Sequence, residues 1–207
     1  MSKEKGKARV LNTQEFKRVI KMQRNNKHGL RNAVLLHLSF YLGLRAKEMC
    51  NLTIEAITDS TGALKNEVLL KRTMTKGNKQ RRFYLTNDKL TKVLMEYLEK
   101  RKLEKTDQPE APLILSQKGK HFTPNSLQQL FSRMYHAVGL DGASSHSGRR
   151  SFCTRLLEQG VGIRNVQTLM GHSSIATTAI YSEAIILQLR HSFTIFLFSP
   201  EYMAHIN

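Results

Sequence analysis

The chain of 207 residues carries 33 Lys and Arg against 16 Asp and Glu, a formal net charge of +17, and 40% of its residues are hydrophobic. That is enough apolar material for one real core with short arms, and it excludes a disordered basic tail protein. No apolar run reaches membrane-spanning length, MSKEKGKARV does not open like a signal peptide, and Cys50 and Cys153 are the only cysteines, which leaves a reduced, cytoplasmic, polyanion-binding protein as the expectation, with no membrane contact, no metal site and no cofactor.

In chain order, Asn12 and Glu15 form a capping-box pattern that opens a helix with Phe16, Val19 and Ile20 on its apolar face, and Asn25, Asn26 and Gly29 close it. Leu30 to Leu44 is apolar on nearly every side and predicts a buried central helix, broken at Gly43-Leu44-Arg45. Glu67 to Arg72 and Arg81 to Leu85 are short and rich in β-formers, with turn chemistry in Thr75-Lys76-Gly77-Asn78 between them, so they predict a hairpin with a basic tip. Leu90, Val93, Leu94, Tyr97 and Leu98 follow helical spacing, as do Leu127, Leu130, Phe131, Met134, Tyr135 and Val138 after Pro124. The most loop-like internal stretch is 106–112, with Asp107, Pro109 and Pro112. The fold class expected is mainly α with a small antiparallel β-hairpin (α+β).

The charge is unevenly spread. Residues 1–31 hold ten Lys and Arg against Glu4 and Glu15, and residues 71–105 hold twelve against Asp88, Glu96, Glu99 and Glu104. Two separated basic clusters on one folded chain fit a groove that tracks phosphates better than a merely solvated face.

The last third carries the chemistry. His146 and Arg149 are three residues apart at the start of a helix, so an imidazole and a guanidinium share a face near a helix N-terminus that favours an anion. Further on, Gly171-His172 ends one helical pattern and Tyr181 sits in the next. A phosphoryl-transfer site needs a nucleophile, fixed cations for the non-bridging oxygens and an acid for the leaving oxygen, and this segment supplies several of them.

These boxes, H-x-x-R, then G-H, then the tyrosine of TTAIYSE, resemble the tyrosine recombinase, or phage integrase, family. Upstream, YLGLRAKEMCNL resembles that family's first arginine box, with Arg45 as the arginine and Glu48 in the supporting acidic place. TKGNKQRRFYL resembles its β-hairpin lysine motif, with Lys76 as the lysine. The set occurs in family order over about residues 12–190, and it implies the catalytic-domain fold of that family.

The resemblance further implies that Tyr181 attacks a DNA backbone phosphate to form a 3′-phosphotyrosyl link and release a 5′-hydroxyl, without ATP. Arg45 and Arg149 would each offer a planar fork to the phosphate, a contact worth about 3 kcal/mol or more by analogy with oxyanion donors. His172 would add a hydrogen bond, Lys76 would protonate the leaving oxygen, and His146 is the acid/base candidate near the tyrosine. Glu48 would orient the cations, while Lys79, Arg81 and Arg150 are expected at the DNA. Protein cations then do the work a metal would otherwise do. Three alternatives stay open: Lys79 for Lys76, Arg150 for Arg149 and Tyr202 for Tyr181. Gly148 stands where the family often has a larger apolar residue.

Two departures from the family pattern bear on organisation. Only about forty residues precede Arg45, which leads us to expect a flexible basic arm over 1–11, a catalytic domain over 12–190 and no separate N-terminal core-binding domain. Residues 191–207 are expected to be a C-terminal tail, with an apolar, β-prone run over Phe193–Phe198, that either packs on its own core, docks on a neighbouring protomer or reflects an altered reading frame. The expected partners are double-stranded DNA and further copies of the chain, a tetramer on DNA from a monomer or dimer in solution, with the protein at the nucleoid when bound. A non-catalytic DNA-binding regulator keeping the fold and an RNA- or ribosome-associated basic protein are the rival readings.

Overall fold

The structure, a computed structural model, describes residues 8–74 and 80–181. Lys76, Lys79, Tyr202 and the expected tail over 191–207 lie outside the described residues.

The first helix, α1 (Thr13–Arg24), opens with the capping box anticipated at Asn12 and Glu15 and turns Phe16 and Val19 inward. It packs on α2 (Gly29–Leu42), the central helix, whose residues are buried nearly all round and which also meets two later helices, over Asp88–Leu103 and Ser147–Glu158. The sequence pattern placed the end of α2 at Leu44, whereas the helix stops at Gly43, which takes the left-handed conformation (φ 60°). A side chain at Gly43 is doubly disfavoured: the φ is costly for any residue with a Cβ, and that Cβ would sit 2.6 Å from Phe152.

Two short helices follow, α3 (Ala46–Cys50) and α4 (Ile54–Ile57). The hairpin pairs β1 (Glu67–Leu70) with β2 (Arg81–Tyr84) antiparallel, Leu70 opposite Arg81 and Val68 opposite Phe83. Period-two alternation puts Val68, Leu70, Arg81 and Phe83 on the buried face. The first strand is shorter than predicted because Arg72–Met74 turns into a 3₁₀ helix.

Next come α5 (Asp88–Leu103), capped by the Asn87 side chain, and α6 (Pro124–His136), capped by Thr123 with Pro124 in its first turn. The loop over 106–112 is held from within: buried Arg101 donates to the carbonyls of Thr106, Pro112 and Leu113. The described residues end with α7 (Ser147–Glu158), α8 (Ile163–Met170) and a helical segment over 175–181. The fold is thus mainly helical with a small antiparallel pair of strands. Among the described residues, no helix is long and apolar enough to cross a membrane.

One expectation needs correcting. Residues 8–11, assigned to a flexible arm, are pinned: the Arg9 amide donates to the Gly142 carbonyl (3.1 Å), the Leu11 amide donates to Ser151 Oγ (2.7 Å), and Leu11 is only 2% exposed. This strap ties the start of the described chain to α7.

Candidate active site

Gly148 lets α7 come close enough to α2 to place Arg149. A Cβ at Gly148 would lie 2.4 Å from Ser39 Oγ and 2.9 Å from Ser39 Cβ, so the room a larger residue would need is already taken by α2. Arg149, in the first turn of α7, is therefore driven into the protein and is 6% exposed.

Arg149, Arg45 and Arg81 meet there around one carboxylate. Glu48 is 0% exposed and accepts from the Arg45 amide (2.8 Å), from Arg45 Nη1 (2.9 Å) and from Arg81 Nη1 (2.8 Å). The amide bond caps α3 while the other two fix guanidinium planes, so the same side chain orders backbone and site.

The remaining compensation comes from two helix C-termini, where carbonyls lack intrahelical partners and the dipole is negative. At the end of α2, the Leu42 carbonyl accepts from Arg81 Nη2 (2.7 Å) and the Gly43 carbonyl accepts from Arg149 Nη1. At the end of α8, three successive carbonyls take one arginine each: Leu169 accepts from Arg81 Nε (2.6 Å), Met170 from Arg149 Nη2, and Gly171 from Arg45 Nη2 (3.0 Å). Gly171, like Gly43, is left-handed.

Arg81 is therefore not at the surface. The sequence reading put it at the DNA, but it is 4% exposed and its guanidinium is taken up by Glu48 and by the carbonyls of Leu42 and Leu169. Its inward position in β2 was readable from the alternation with Phe83, a signal that its place beside Arg82 in a basic run concealed.

Arg45 and Arg149 line an open cleft of about 690 Å³ together with His146, Arg150, His172 and Tyr181. His172 stacks on Tyr181, ring centroids 6.4 Å apart and planes within 18°, and the Arg150 guanidinium lies over the same tyrosine ring, 5.7 Å from its centroid. Arg150 also donates to the Ala8 carbonyl (2.6 Å), which brings the N-terminal strap to the rim. His146 occupies the N-cap position of α7, without a capping bond from its side chain, and is exposed. An adjoining groove, lined by Asn125, Gln128, Gln129, Ser132 and Arg133 of α6, meets the cleft at Ser144 and His146.

Electrostatics mark the cleft as short of negative charge. Burial, then Arg81 and Arg45, pull Arg149 down to about 9. Burial, then Arg149, Arg45 and Arg81, pull His172 down to about 4, so its imidazole is neutral at neutral pH. Tyr181 is pushed up, by burial first and Cys153 second, against the pull of Arg150, Arg149 and Arg45. The tyrosine is thus a neutral phenol at neutral pH. An anion seated between Arg45 and Arg149 relieves the repulsion that lowers both Arg149 and His172.

The match to a phage integrase family model runs over residues 9–185 and takes in every residue just described except Ala8. The chain belongs to the phage integrase family. It is 30% identical over 169 residues to tyrosine recombinase XerC of Corynebacterium glutamicum, a match covering 82% of this chain and 52% of that protein. To tyrosine recombinase XerA of Pyrococcus horikoshii it is 30% identical over 186 residues, covering 88% and 59%. Among solved structures, a XerA recombinase superposes with a TM-score of 0.73 at 27% identity, over 89% of this chain and 64% of that one. The post-cleavage complex of XerH recombinase with its palindromic difH substrate gives 0.71 at 26% identity, over 91% and 53%. The chain spans about half the length of the XerC relatives it matches.

Proposed function

We propose that this chain is the catalytic unit of a tyrosine site-specific recombinase, cutting and rejoining double-stranded DNA in integration, excision or inversion. The observation that carries the reading is the convergence of Arg45, Arg149, His172 and Tyr181 on one cleft whose arginines are already oriented by Glu48 and two helix ends.

In the step proposed, Tyr181 Oη forms a bond to a backbone phosphorus while the bond from phosphorus to O5′ breaks. The phenolic proton leaves to a base, for which His146 is the candidate, and O5′ takes a proton from Lys76. Arg45 and Arg149 hold the non-bridging oxygens and His172 donates to one of them. The 3′-phosphotyrosyl link keeps the phosphodiester energy, so a 5′-hydroxyl of a second strand reverses the step and joins the strands. Lys79 and Arg150 add phosphate contacts, and the amides and guanidinium along α6 offer donors and acceptors of the kind that read base edges. Exchange of four strand ends calls for a tetramer on DNA, and the substrate locates the bound protein at the nucleoid.

The test presents a pool of nicked duplexes with randomised cores and recovers protein–DNA adducts that survive denaturation. The expected result is an adduct with selected sequences that Tyr181→Phe abolishes. An adduct persisting at the same level in that variant would falsify the assignment of the nucleophile, and no adduct from the whole pool favours the non-catalytic regulator.

A further inference from the structure

Thr178 is completely buried, three residues before Tyr181 in the helical segment over 175–181, so the two side chains share a face of that helix. Both meet the same imidazole. Tyr181 stacks on the His172 ring, and Thr178 Oγ1 lies 2.9 Å from His172 Nδ1. The histidine backbone is anchored separately: its amide donates to the Gln167 carbonyl (3.1 Å) and its carbonyl accepts from Gln167 Nε2 (3.3 Å).

We propose that Thr178 is a positioning residue that holds His172 in the tautomer protonated on Nε2, by donating its hydroxyl proton to Nδ1. The inference deepens the phosphoryl-transfer reading of the cleft and rests on it for its consequence. Two arguments carry it. A hydroxyl that only accepted from Nδ1 would leave its own proton buried, and among the described residues no other partner meets Thr178 Oγ1, so donation to Nδ1 satisfies both groups at once. A neutral imidazole also has a single N–H. Spent on Thr178, it would leave Nε2 a bare lone pair in a cleft meant for phosphate oxygens, which have only lone pairs to offer. With Nδ1 accepting, Nε2 becomes a donor to the oxygen. The depressed basicity of His172 makes this choice of tautomer matter, because the doubly protonated ring that needs no such choice is absent at neutral pH.

The test is nitrogen NMR of protein labelled at histidine, without DNA, with the His172 signals identified by their loss in His172→Gln. The wild-type spectrum is expected to show a proton-free Nδ1 and a protonated Nε2. Thr178→Ser is expected to keep that pattern and Thr178→Val, equal in size but without the hydroxyl, to lose it to a mixture. A wild-type ring protonated on Nδ1, or an unchanged tautomer in Thr178→Val, overturns the proposal, and the wild-type measurement decides even if that variant fails to fold. On a duplex recovered by adduct selection, Thr178→Val is expected to form adduct about tenfold more slowly with DNA affinity unchanged, and Thr178→Ser to restore the rate. The expected tautomer with no adduct from any duplex would sink the recombinase reading while leaving the hydrogen bond intact, so the two failures are separable.

Discussion

Arg149 is the residue at which charge, burial and chemistry meet. Its ordinary affinity for a proton is cut to about 9, first by burial and then by Arg81 and Arg45, while the Gly43 and Met170 carbonyls hold it in place. Because the folded value lies below the unfolded one, folding is penalised for carrying this charge at every pH below about 9, and the penalty recedes as pH rises through that value. Below it the guanidinium is charged and receptive to an anion, and above it the attraction is lost. Sulfate should therefore raise the melting temperature at pH 7.5 beyond what chloride does at equal ionic strength. That extra gain should vanish above about pH 9 and be absent at all pH values in Arg149→Ala. A gain that persists unchanged at pH 10, or in the variant, would mean that sulfate acts elsewhere. That His146, Arg149 and Tyr181 belong together was suggested in the sequence by three-residue helical spacing and family order, and all three line one cleft. Thr178 was not, since its partner is fixed only once the turn at Gly171 and His172 folds the last helical segment back on the imidazole.

The elements show why the central helix had to be apolar all round and why its end had to be glycine. The C-termini of α2 and α8 present five carbonyls to three arginines, an arrangement that depends on both helices stopping where they do. The sequence revealed the stop at Gly43 as a break in apolar pattern, but not that the freed carbonyls would be consumed by side chains 39 and 106 residues away. Likewise the hairpin was legible from β-formers and turn residues, whereas the inward turn of Arg81 depends on register, which slips a whole face with one residue. The contact between α2 and α7 gives a sharper expectation. Gly148→Leu should cost on the order of 1–3 kcal/mol or more in urea unfolding, because Ser39 already fills the space. Combining it with Ser39→Gly should recover part of that loss, and additive losses would show that the clash lies elsewhere. Among the described residues Ser39 Oγ has no hydrogen-bond partner, so its removal forfeits none there.

At the scale of the whole molecule, the strap over residues 8–11 and the cleft are one structure. Leu11 is buried, Ser151 holds its amide, and the Ala8 carbonyl takes the guanidinium that lies over the Tyr181 ring. Leu11→Ala should lower the free energy of unfolding by about 2–5 kcal/mol, as for other buried leucines. A loss under about 1 kcal/mol would show that the strap merely lies on the surface. Composition led us to expect a polyanion for a chain with net charge +17, but not that two of its arginines would share one buried carboxylate, Glu48.

The geometry at the end of α8 has a consequence for control. Leu169, Met170 and Gly171 hold the three arginines, and His172 follows at once, with Tyr181 one short segment further on. The three cations and the residues proposed as hydrogen-bond donor and nucleophile therefore depend on a single peptide stretch. They cannot be adjusted separately: whatever lifts that stretch by the length of one hydrogen bond disarms all of them together, so the site is set as a unit, either armed or not.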